Sequence, residues 1–265
     1  MRARALMRFC VLALSIILVT LCLFSCDSSR PSGPQEDPYV SPYDWDQLIK
    51  DENGRFEYFE DGVLRSRFGI DVSEHQKVID WQAVAADGVD FAIIRLGHRG
   101  LTEGQIYLDL YYEENIRGAK EAGILVGIYF FSQAINEAEA REEAEFVLKI
   151  LDGMHLDYPI AYDHEVVSGF DARANKLTGA EVSRCARAFF EVIQAAGYET
   201  LLYGNKGDLN RLEILLLESH DLWLAEYDAA HPTLKRDIVM WQYTSHGAVK
   251  GITTHVDLNI HFLPK

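Results

Sequence analysis

Two carboxylates stand at the end of a short apolar stretch, Tyr158-Pro-Ile-Ala-Tyr-Asp-His-Glu165. We interpret the stretch as a β-strand that begins at its proline. Because side chains alternate between the two faces of a strand, Asp163 and Glu165 should leave the same face, about 6–7 Å apart at their Cβ atoms, while His164 points the other way. Neighbouring acids raise each other's cost of ionisation, which separates their roles in acid–base chemistry. The pair is therefore the first candidate for a catalytic centre.

The order of the elements predicts how this strand is held. Apolar strands alternate with helical patterns along most of the chain, and the last strands follow one another without helices between them. Strands that are apolar on both faces indicate a parallel sheet covered by helices. No Gly-x-Gly-x-x-Gly turn follows any strand, so a closed barrel is favoured over an open doubly wound sheet. The expected fold class is α/β, a single flattened, irregular TIM-like barrel with helices on its outside.

Further polar and aromatic groups fall where strands of such a barrel end, which is where β/α barrels carry their functional residues. Asp71 on the first strand and Asp257 on the last join the central acid pair. The aromatic and amide candidates are Tyr129, Tyr203, Trp223, Tyr227 and Gln242. Carboxylates beside aromatic walls are typical of a sugar-cleaving site. A single acid at such a position more often has a structural role, but it is improbable that all four acids do. Each aromatic residue, taken alone, is better explained by packing in the core.

The composition of the chain limits the classes of molecule that it can bind. The chain has 265 residues, enough for one large α/β domain or two small ones, and a formal charge of −16 at pH 7. Such acidity argues against nucleic acid as a partner, because phosphates require a basic surface. It also disfavours electrostatic binding to anionic polymers or lipid headgroups.

The first 25 residues are predicted to be a signal peptide or membrane anchor. Three arginines precede an unbroken apolar run over residues 9–21, and the run leads to Leu23-Phe-Ser-Cys26. This resembles a bacterial lipoprotein signal, in which cleavage before the cysteine leaves Cys26 lipidated; the alternative is an uncleaved signal anchor. Either way we expect an extracytoplasmic protein held at the membrane. Cleavage would leave Cys185 alone, with no intramolecular disulfide available.

Three segments are predicted after this leader. Residues 26–54 are expected to form a flexible tether, because the stretch up to about Pro42 is rich in Ser, Pro and acids and has no apolar period. Alternating residues around Asp61-Gly62 predict a small hairpin over 55–67. The barrel is expected to cover 68–265.

Several motifs together resemble glycoside hydrolase family 25, the Chalaropsis-type lysozymes or N-acetylmuramidases. They occur in family order from about Phe68 to Phe262, and they are Phe68-Gly-Ile-Asp-Val-Ser-Glu-His-Gln76, Ile79-Asp-Trp81, Pro159-Ile-Ala-Tyr-Asp-His-Glu165, Trp223-Leu-Ala-Glu-Tyr227, Trp241-Gln-Tyr243 and Val256-Asp-Leu-Asn259. The resemblance implies a flattened barrel and cleavage of the β-1,4 bond between N-acetylmuramic acid and N-acetylglucosamine in peptidoglycan. We expect no metal, no cofactor and a monomer.

The resemblance also implies residue roles. Glu165 matches the general acid and Asp163 the acid that assists it, while Asp71 and Asp257 match acids that line the same pocket. Tyr129, Tyr203, Trp223, Tyr227 and Gln242 fall where family members contact substrate. The family favours retention of configuration, with Asp163 either attacking the sugar or orienting the substrate's N-acetyl group. Direct inversion through water is the third possibility.

Two other functions compete with this hypothesis. A metal-dependent carbohydrate deacetylase would need a ligand set drawn from the acids and from His75, His98, His164, His246 and His255, yet no tight ligand spacing is present. A surface lipoprotein that binds glycan without cutting it would be expected to have lost one of the four acids. A Ser-His-Asp hydrolase is disfavoured because no Gly-x-Ser-x-Gly motif occurs.

Overall fold

The computed structural model describes residues 39–264. The predicted signal peptide or anchor over 1–25, the lipidated Cys26 and the first part of the tether lie outside the described residues. Within the described range, no helix is both long enough and apolar enough to cross a membrane.

Residues 39–264 contain twelve strands and six α-helices. The strands are β1 (Leu48–Lys50), β2 (Phe56–Glu60), β3 (Val63–Leu64), β4 (Ser66–Val72), β5 (Phe91–Arg99), β6 (Ile106–Leu108), β7 (Leu125–Phe131), β8 (Ile160–Asp163), β9 (Thr200–Asn205), β10 (Asp221–Ala225), β11 (Met240–Gly247) and β12 (Val256–Phe262). The helices are α1 (Trp81–Ala86), α2 (Tyr112–Glu121), α3 (Glu137–Leu151), α4 (Gly179–Ala195), α5 (Lys206–Asn210) and α6 (Ile214–Glu218). Short 3-10 helices cover Trp45–Gln47, Glu74–Gln76 and Arg173–Lys176.

Eight of these strands form a closed barrel, which confirms the predicted fold class. The order is β4-β12-β11-β10-β9-β8-β7-β5, and β5 pairs with β4 to close the ring. The edge strand β6 adds to β5 as an antiparallel hairpin. Strands β4 to β11 of the ring run parallel to one another, so the C-terminal ends of seven strands meet at one mouth.

The final strand departs from a regular β/α barrel. No helix separates β10, β11 and β12, and β12 pairs antiparallel with both β11 and β4. Asp257 therefore lies at the beginning of its strand, and the expectation that it stands at a C-terminal strand end is wrong. It still reaches the mouth, because reversal of the strand places Asp257 opposite Asp71 at the C-terminal end of β4.

Two apolar cores result from the alternation of side chains along the strands. On β5, Phe91 and Ile93 belong to the cluster inside the barrel, whereas Ala92 and Ile94 belong to the cluster between the barrel and the helices. All four are fully buried. Burial on both faces explains why these strands are apolar without interruption. The next inward position on β5 is Arg95, so the apolar interior gives way to charged groups near the mouth.

The segment assigned to the tether is ordered from residue 39 onward. The Tyr43 hydroxyl donates to the carbonyl of Ile238 at 2.9 Å, and its ring centroid lies 4.4 Å from that of Phe262. Trp45 stacks on His231 with 5.7 Å between ring centroids. The predicted tether therefore extends too far along the chain, because these partly buried aromatic side chains pack against β12 and the segment before β11.

A separate three-stranded sheet, ordered β1-β2-β3, precedes the barrel. Its second turn is the hairpin around Asp61 and Gly62, whose φ angles of 51° and 76° suit the Asp-Gly pair. The hairpin's second strand ends at Leu64, and the barrel strand β4 begins at Ser66, two residues before the predicted boundary. β1 lies within the range assigned to the tether and pairs antiparallel with β2.

Candidate active site

All nine residues selected from the sequence line one cavity of about 180 Å³ at the barrel mouth. They come from seven strands of the barrel and from the segments that follow β8 and β10. The lining consists of Asp71, Tyr129, Asp163, Glu165, Tyr203, Trp223, Tyr227, Gln242 and Asp257. Residues as far apart in the chain as Asp71 and Asp257 meet here because the barrel closes between β12 and β4.

The acid pair lies at the end of β8. Alternation along this strand directs Ala161 into the barrel and Tyr162 towards the helices, and it places Asp163 and Glu165 in the same cavity, as predicted. The two carboxyl groups are near enough for each to influence the ionisation of the other. The Oδ1 atom of Asp163 is buried, and no group in residues 39–264 offers it a hydrogen bond.

Burial is the largest influence on the protonation of this pair. It raises the pKa of Glu165 to about 7, and the negative charges of Asp208 and Asp71 act in the same direction. Burial and the charge of Glu165 raise the pKa of Asp163 well above its usual range. Because two carboxylates in contact in a dry site cannot both ionise cheaply, the pair holds a proton near neutral pH.

Asp71 and Asp257 form a second pair of acids on the opposite wall of the barrel mouth. They lie directly opposite each other on β4 and β12. Two amides donate to Oδ2 of Asp71, the Nε2 group of Gln242 and the Nδ2 group of Asn259, each at 2.8 Å. Burial raises the pKa of Asp71 to about 6 despite these bonds. Burial and the charge of Asp71 raise the pKa of Asp257 to about 8.

Gln242 is the centre of the hydrogen-bond network around Asp71. Its Oε1 atom accepts from the hydroxyl of Tyr203 at 2.9 Å and from that of Tyr227 at 2.7 Å. These two donors orient the amide so that its NH₂ group faces the carboxylate of Asp71. Asn259 is oriented in the same way, because its Oδ1 accepts from Nε1 of Trp223 at 2.8 Å.

The aromatic candidates differ in how much surface they offer a substrate. Trp223 and Tyr203 are 1% and 8% exposed, and their rings contact each other edge to face at 4.6 Å. Tyr227 is 44% exposed and stands at the rim. Most of the aromatic wall therefore packs and orients the polar groups, and Tyr227 is the ring best placed to stack on a sugar.

Three polar residues near the cavity were missed in the sequence. Asn259 could have been found, because it follows Asp257 by two positions on the same strand face. Arg95 is a buried cation inside the barrel, 2.7 Å from Oδ2 of Asp109 and 2.9 Å from Oε1 of Glu74. Asp208, on α5, is a buried acid whose negative charge raises the pKa of Glu165. The residue types and spacing of Arg95 and Asp208 did not indicate that either residue would lie near the acid pair.

The histidines considered as metal ligands do not converge on the acids. His164 points away from the cavity, with its Nδ1 atom 3.0 Å from Nη2 of Arg211. His98 stacks on Tyr107, and the His246 and His255 rings lie together, 5.2 Å apart. Within the described range, no group of three or more His, Cys, Asp or Glu side chains is arranged to hold a metal ion.

Taken together, the cavity offers a protonated carboxyl group beside other carboxylates and a set of oriented amides. Such an arrangement can donate a proton to a leaving oxygen and stabilise positive charge that develops nearby. A cluster of acids with raised pKa values is also unsuited to binding anions. The site is therefore suited to acid-catalysed cleavage of a bond at an atom that is neutral or that gains positive charge during the reaction.

Comparison with known proteins agrees with this chemistry. The model of glycosyl hydrolases family 25 matches residues 70–252. The chain belongs to this family. The match runs from the strand that carries Asp71 through the segment that follows β11, and it includes the acid pair.

Curated relatives of this family 25 chain include two lysozymes. The autolytic lysozyme of Clostridium acetobutylicum is 30% identical over 195 residues, which cover 72% of this chain and 54% of the relative. Lysozyme M1 of Streptomyces globisporus is 27% identical over 205 residues, which cover 72% of this chain and 66% of the relative. The chain thus matches about half the length of the first relative.

Solved structures share the fold. A family 25 glycosyl hydrolase from Bacillus anthracis has a TM-score of 0.64 at 20% identity, covering 81% of this chain and 96% of that one. The autolysin LytC from Streptococcus pneumoniae, solved in complex with a synthetic peptidoglycan ligand, has a TM-score of 0.62 at 24% identity, covering 80% and 51%.

The raised pKa of Asp257 predicts a pH-dependent cost in stability. An acid whose pKa is higher in the folded protein favours folding at low pH, and this contribution is lost as pH rises through the folded pKa, here about 8. Asp257→Asn should therefore raise the free energy of unfolding relative to wild type, by about 1–3 kcal/mol more at pH 8 than at pH 5. Urea denaturation at both pH values measures the difference.

Glu57→Gln is the matched control, since Glu57 is an exposed carboxylate on β2. It should leave the wild-type pH dependence unchanged. A difference between Asp257→Asn and wild type that stays constant or shrinks towards pH 8 would contradict the assigned direction.

Proposed function

We propose that this protein is an N-acetylmuramidase that hydrolyses the β-1,4 bond between N-acetylmuramic acid and N-acetylglucosamine in peptidoglycan. The observation that supports this most directly is the protonated Asp163–Glu165 pair in the mouth cavity of a family 25 barrel. The lysozymes among its relatives favour the same substrate. Peptidoglycan glycan strands are thus the proposed partner.

Glu165 is the proposed general acid. It is half-buried at the cavity edge, and its pKa of about 7 lets it hold a proton at neutral pH. In the proposed first step it protonates the glycosidic oxygen as the bond to the anomeric carbon breaks and positive charge develops on the sugar. Transfer of that proton leaves Asp163 and Glu165 with more negative charge, which stabilises the cationic centre.

We propose that the reaction retains configuration. Inverting enzymes keep their two carboxyl groups about 6.5–9.5 Å apart to admit water, whereas retaining enzymes hold them closer. Asp163 and Glu165 lie two residues apart at the end of β8 and line the same small cavity, which favours the closer arrangement. Asp163 then either attacks the anomeric carbon or orients the substrate's own N-acetyl group.

The remaining groups bind and orient the sugar in this proposal. Asp71 and Asp257 stabilise developing positive charge from the wall opposite the acid pair. Gln242 and Tyr203 are already bonded to each other and act mainly by holding Asp71 in place. Tyr227 at the rim offers a ring to stack on an apolar sugar face.

Glu165→Gln tests the general acid. The amide keeps the size of the side chain but cannot donate a titrating proton, so release of reducing ends from purified peptidoglycan should fall by about a hundredfold to ten-thousandfold. Thermal melting checks that the variant stays folded, and mass analysis of the muropeptides identifies the bond cleaved by wild type. Glu57→Gln on β2 is the control and should keep full activity.

Several results would contradict the assignment. Undiminished activity of Glu165→Gln would remove Glu165 from the reaction. A wild-type protein that binds glycan but releases no reducing ends would be a binding protein. Release of acetate without chain cleavage, lost to a chelator and restored by zinc, would indicate a deacetylase.

Retention is tested separately by the configuration of the first product. Proton NMR of a short muropeptide oligosaccharide during rapid hydrolysis should show the β-anomer of N-acetylmuramic acid before mutarotation mixes the anomers. Asp163→Asn should slow this reaction by about a hundredfold or more, because the variant loses the charge that either retaining route requires. Initial formation of the α-anomer would establish inversion instead.

We also propose that the protein is a membrane-anchored lipoprotein modified at Cys26. The support is sequence alone, three arginines followed by an apolar run that ends at this cysteine. In bacteria fed a labelled fatty acid, the full chain should carry the label and sediment with membranes. Cys26→Ser should lose the label, while Cys185→Ser, which changes a buried cysteine of the barrel domain, should keep it. A labelled Cys26→Ser protein would refute modification at this position.

A further inference from the structure

His98 is a partly buried histidine near the barrel mouth that lies outside the lining of the catalytic cavity. It belongs to β5, the strand next to β7, and β7 in turn lies next to β8 and its acid pair. The Nδ1 atom of His98 is buried, and no group in residues 39–264 offers it a hydrogen bond. A histidine retained for packing would be expected to satisfy a buried nitrogen, so packing alone does not account for this residue.

A β-bulge in β5 decides which way His98 points. The pairing of β5 with β7 skips one residue of β5, because Arg95 lies opposite Tyr129 whereas Gly97 lies opposite Phe130. An extra residue in one strand shifts the alternation of side chains beyond it by one position. Regular alternation from the inward-facing Arg95 would direct His98 towards the helices. The bulge instead returns His98 to the inner face of the barrel.

The two chain neighbours of His98 both face the helices. A Cβ atom on Gly97 would lie 3.4 Å from the ring of Phe146, a residue of α3. Nε of Arg99 is 2.7 Å from Oε1 of Glu143, which also belongs to α3. Because successive side chains of a strand point to opposite faces, His98 between them faces the mouth.

The strand register places His98 in one row with the acid pair. His98 lies opposite Phe131 on β7, and Phe131 lies opposite Asp163 on β8. Neighbouring strands lie about 4.8 Å apart, so the backbones of His98 and Asp163 are separated by about 10 Å. That is too far for contact with the bond being cleaved, but near enough for contact with another sugar of the same glycan strand.

Tyr107 covers the imidazole from the side away from the cavity. It lies opposite His98 on the edge strand β6, which pairs with β5 on the edge not occupied by β7 near the mouth. The two rings are stacked, with centroids 5.4 Å apart and planes inclined by 26°. Tyr107 is 40% exposed. Because Tyr107 occupies one face of the imidazole, the remaining face is turned towards Phe131 and the mouth.

The charges around His98 suit a neutral ligand. Burial lowers the pKa of His98, and the charge of Arg95 acts in the same direction, so the imidazole is uncharged at neutral pH. The two arginines of β5 are already paired with acids, Arg95 with Asp109 and Glu74 and Arg99 with acids of α3. Neither cation of this strand is therefore left to bind a carboxylate, and an uncharged sugar is favoured over an anionic one.

We propose that His98 forms a sugar subsite beside the cleavage site, in which the free face of its imidazole packs on the apolar face of a neutral sugar unit of the glycan strand. N-acetylglucosamine is the unit of peptidoglycan that fits this description. Tyr107 is the positioning residue that keeps the imidazole in this orientation. The proposal rests on the muramidase function and adds to it a contact that selects the sugar next to those at the acid pair.

His98→Ala tests the subsite directly. Introduced into the Glu165→Gln variant, which should bind glycan without cleaving it, the substitution should weaken binding of a tetrasaccharide of alternating N-acetylglucosamine and N-acetylmuramic acid by about three- to tenfold, because a ring contact is lost. Calorimetric titration measures the affinity. With Glu165 intact, the loss should fall mainly on KM for soluble glycan and much less on kcat, as expected when binding is lost equally in the ground state and the transition state.

Variants of Tyr107 test the positioning role. Tyr107→Ala removes the ring that supports His98 and should also weaken binding, whereas Tyr107→Phe keeps the ring and should restore most of the affinity. His155→Ala is the matched control, because the side chain of His155 is 86% exposed and precedes β8, at the end of the barrel opposite the mouth. It should bind the tetrasaccharide as its parent does. Thermal melting checks that each variant is folded.

The outcomes separate this proposal from the proposed function. A wild type that releases no reducing ends, combined with weaker binding by His98→Ala, would refute the muramidase function and leave the subsite in place. An active wild type whose affinity and KM are unchanged by His98→Ala would overturn the subsite alone, and so would an equal loss in His155→Ala. An inactive wild type with a parent variant that binds no tetrasaccharide would refute both. If His98→Ala fails to fold, equal affinities of Tyr107→Ala and Tyr107→Phe would overturn the subsite.

Discussion

The constraint on which this structure depends is the burial of several like charges in one small space. Asp71, Asp163, Glu165 and Asp257 share a cavity of about 180 Å³, and carboxylates in such a site cannot all be ionised without a large cost. Protonation relieves part of that cost, which is why burial raises the pKa of each of the four, with repulsion from the other acids adding to the effect at Asp163, Glu165 and Asp257. The feature that costs stability is thus the feature that makes a proton available at neutral pH.

The surrounding barrel is arranged to tolerate this charge. Asp71 is stabilised by two amide donors, and each amide is held in turn by a hydroxyl or indole donor from another strand. On the other side, Arg95 brings a buried cation whose charge lowers the pKa of Asp163, opposing the effect of burial. Asp163 itself has few hydrogen bonds. The unequal solvation of Asp71 and Asp163 suits a structural role for the first and a reactive role for the second.

The antiparallel last strand is what makes the cavity compact. In a regular β/α barrel each acid would occupy the end of its own parallel strand. Here β12 runs in reverse and places Asp257 against Asp71, and Asn259, two residues further along β12, donates to the same Asp71. The aromatic residues Tyr43 and Trp45 pack on Phe262 near the other end of β12, so the segment before the barrel supports the strand that closes it.

The sequence by itself determined the features that depend on local periodicity and on the order of elements. Alternation along β8 placed Asp163 and Glu165 on one face, and alternating strands and helices indicated a barrel, whose mouth gathers the acids and aromatics. Only the tertiary structure decided the direction of β12, the packing of residues 39–50, and the positions of Asn259, Arg95 and Asp208. These depend on which strand lies beside which and on the close approach of a helix to its own strand at Gly204. A buried charge derives its effect from neighbours distant in sequence, so residue type and spacing alone could not reveal that Asp208 acts on Glu165.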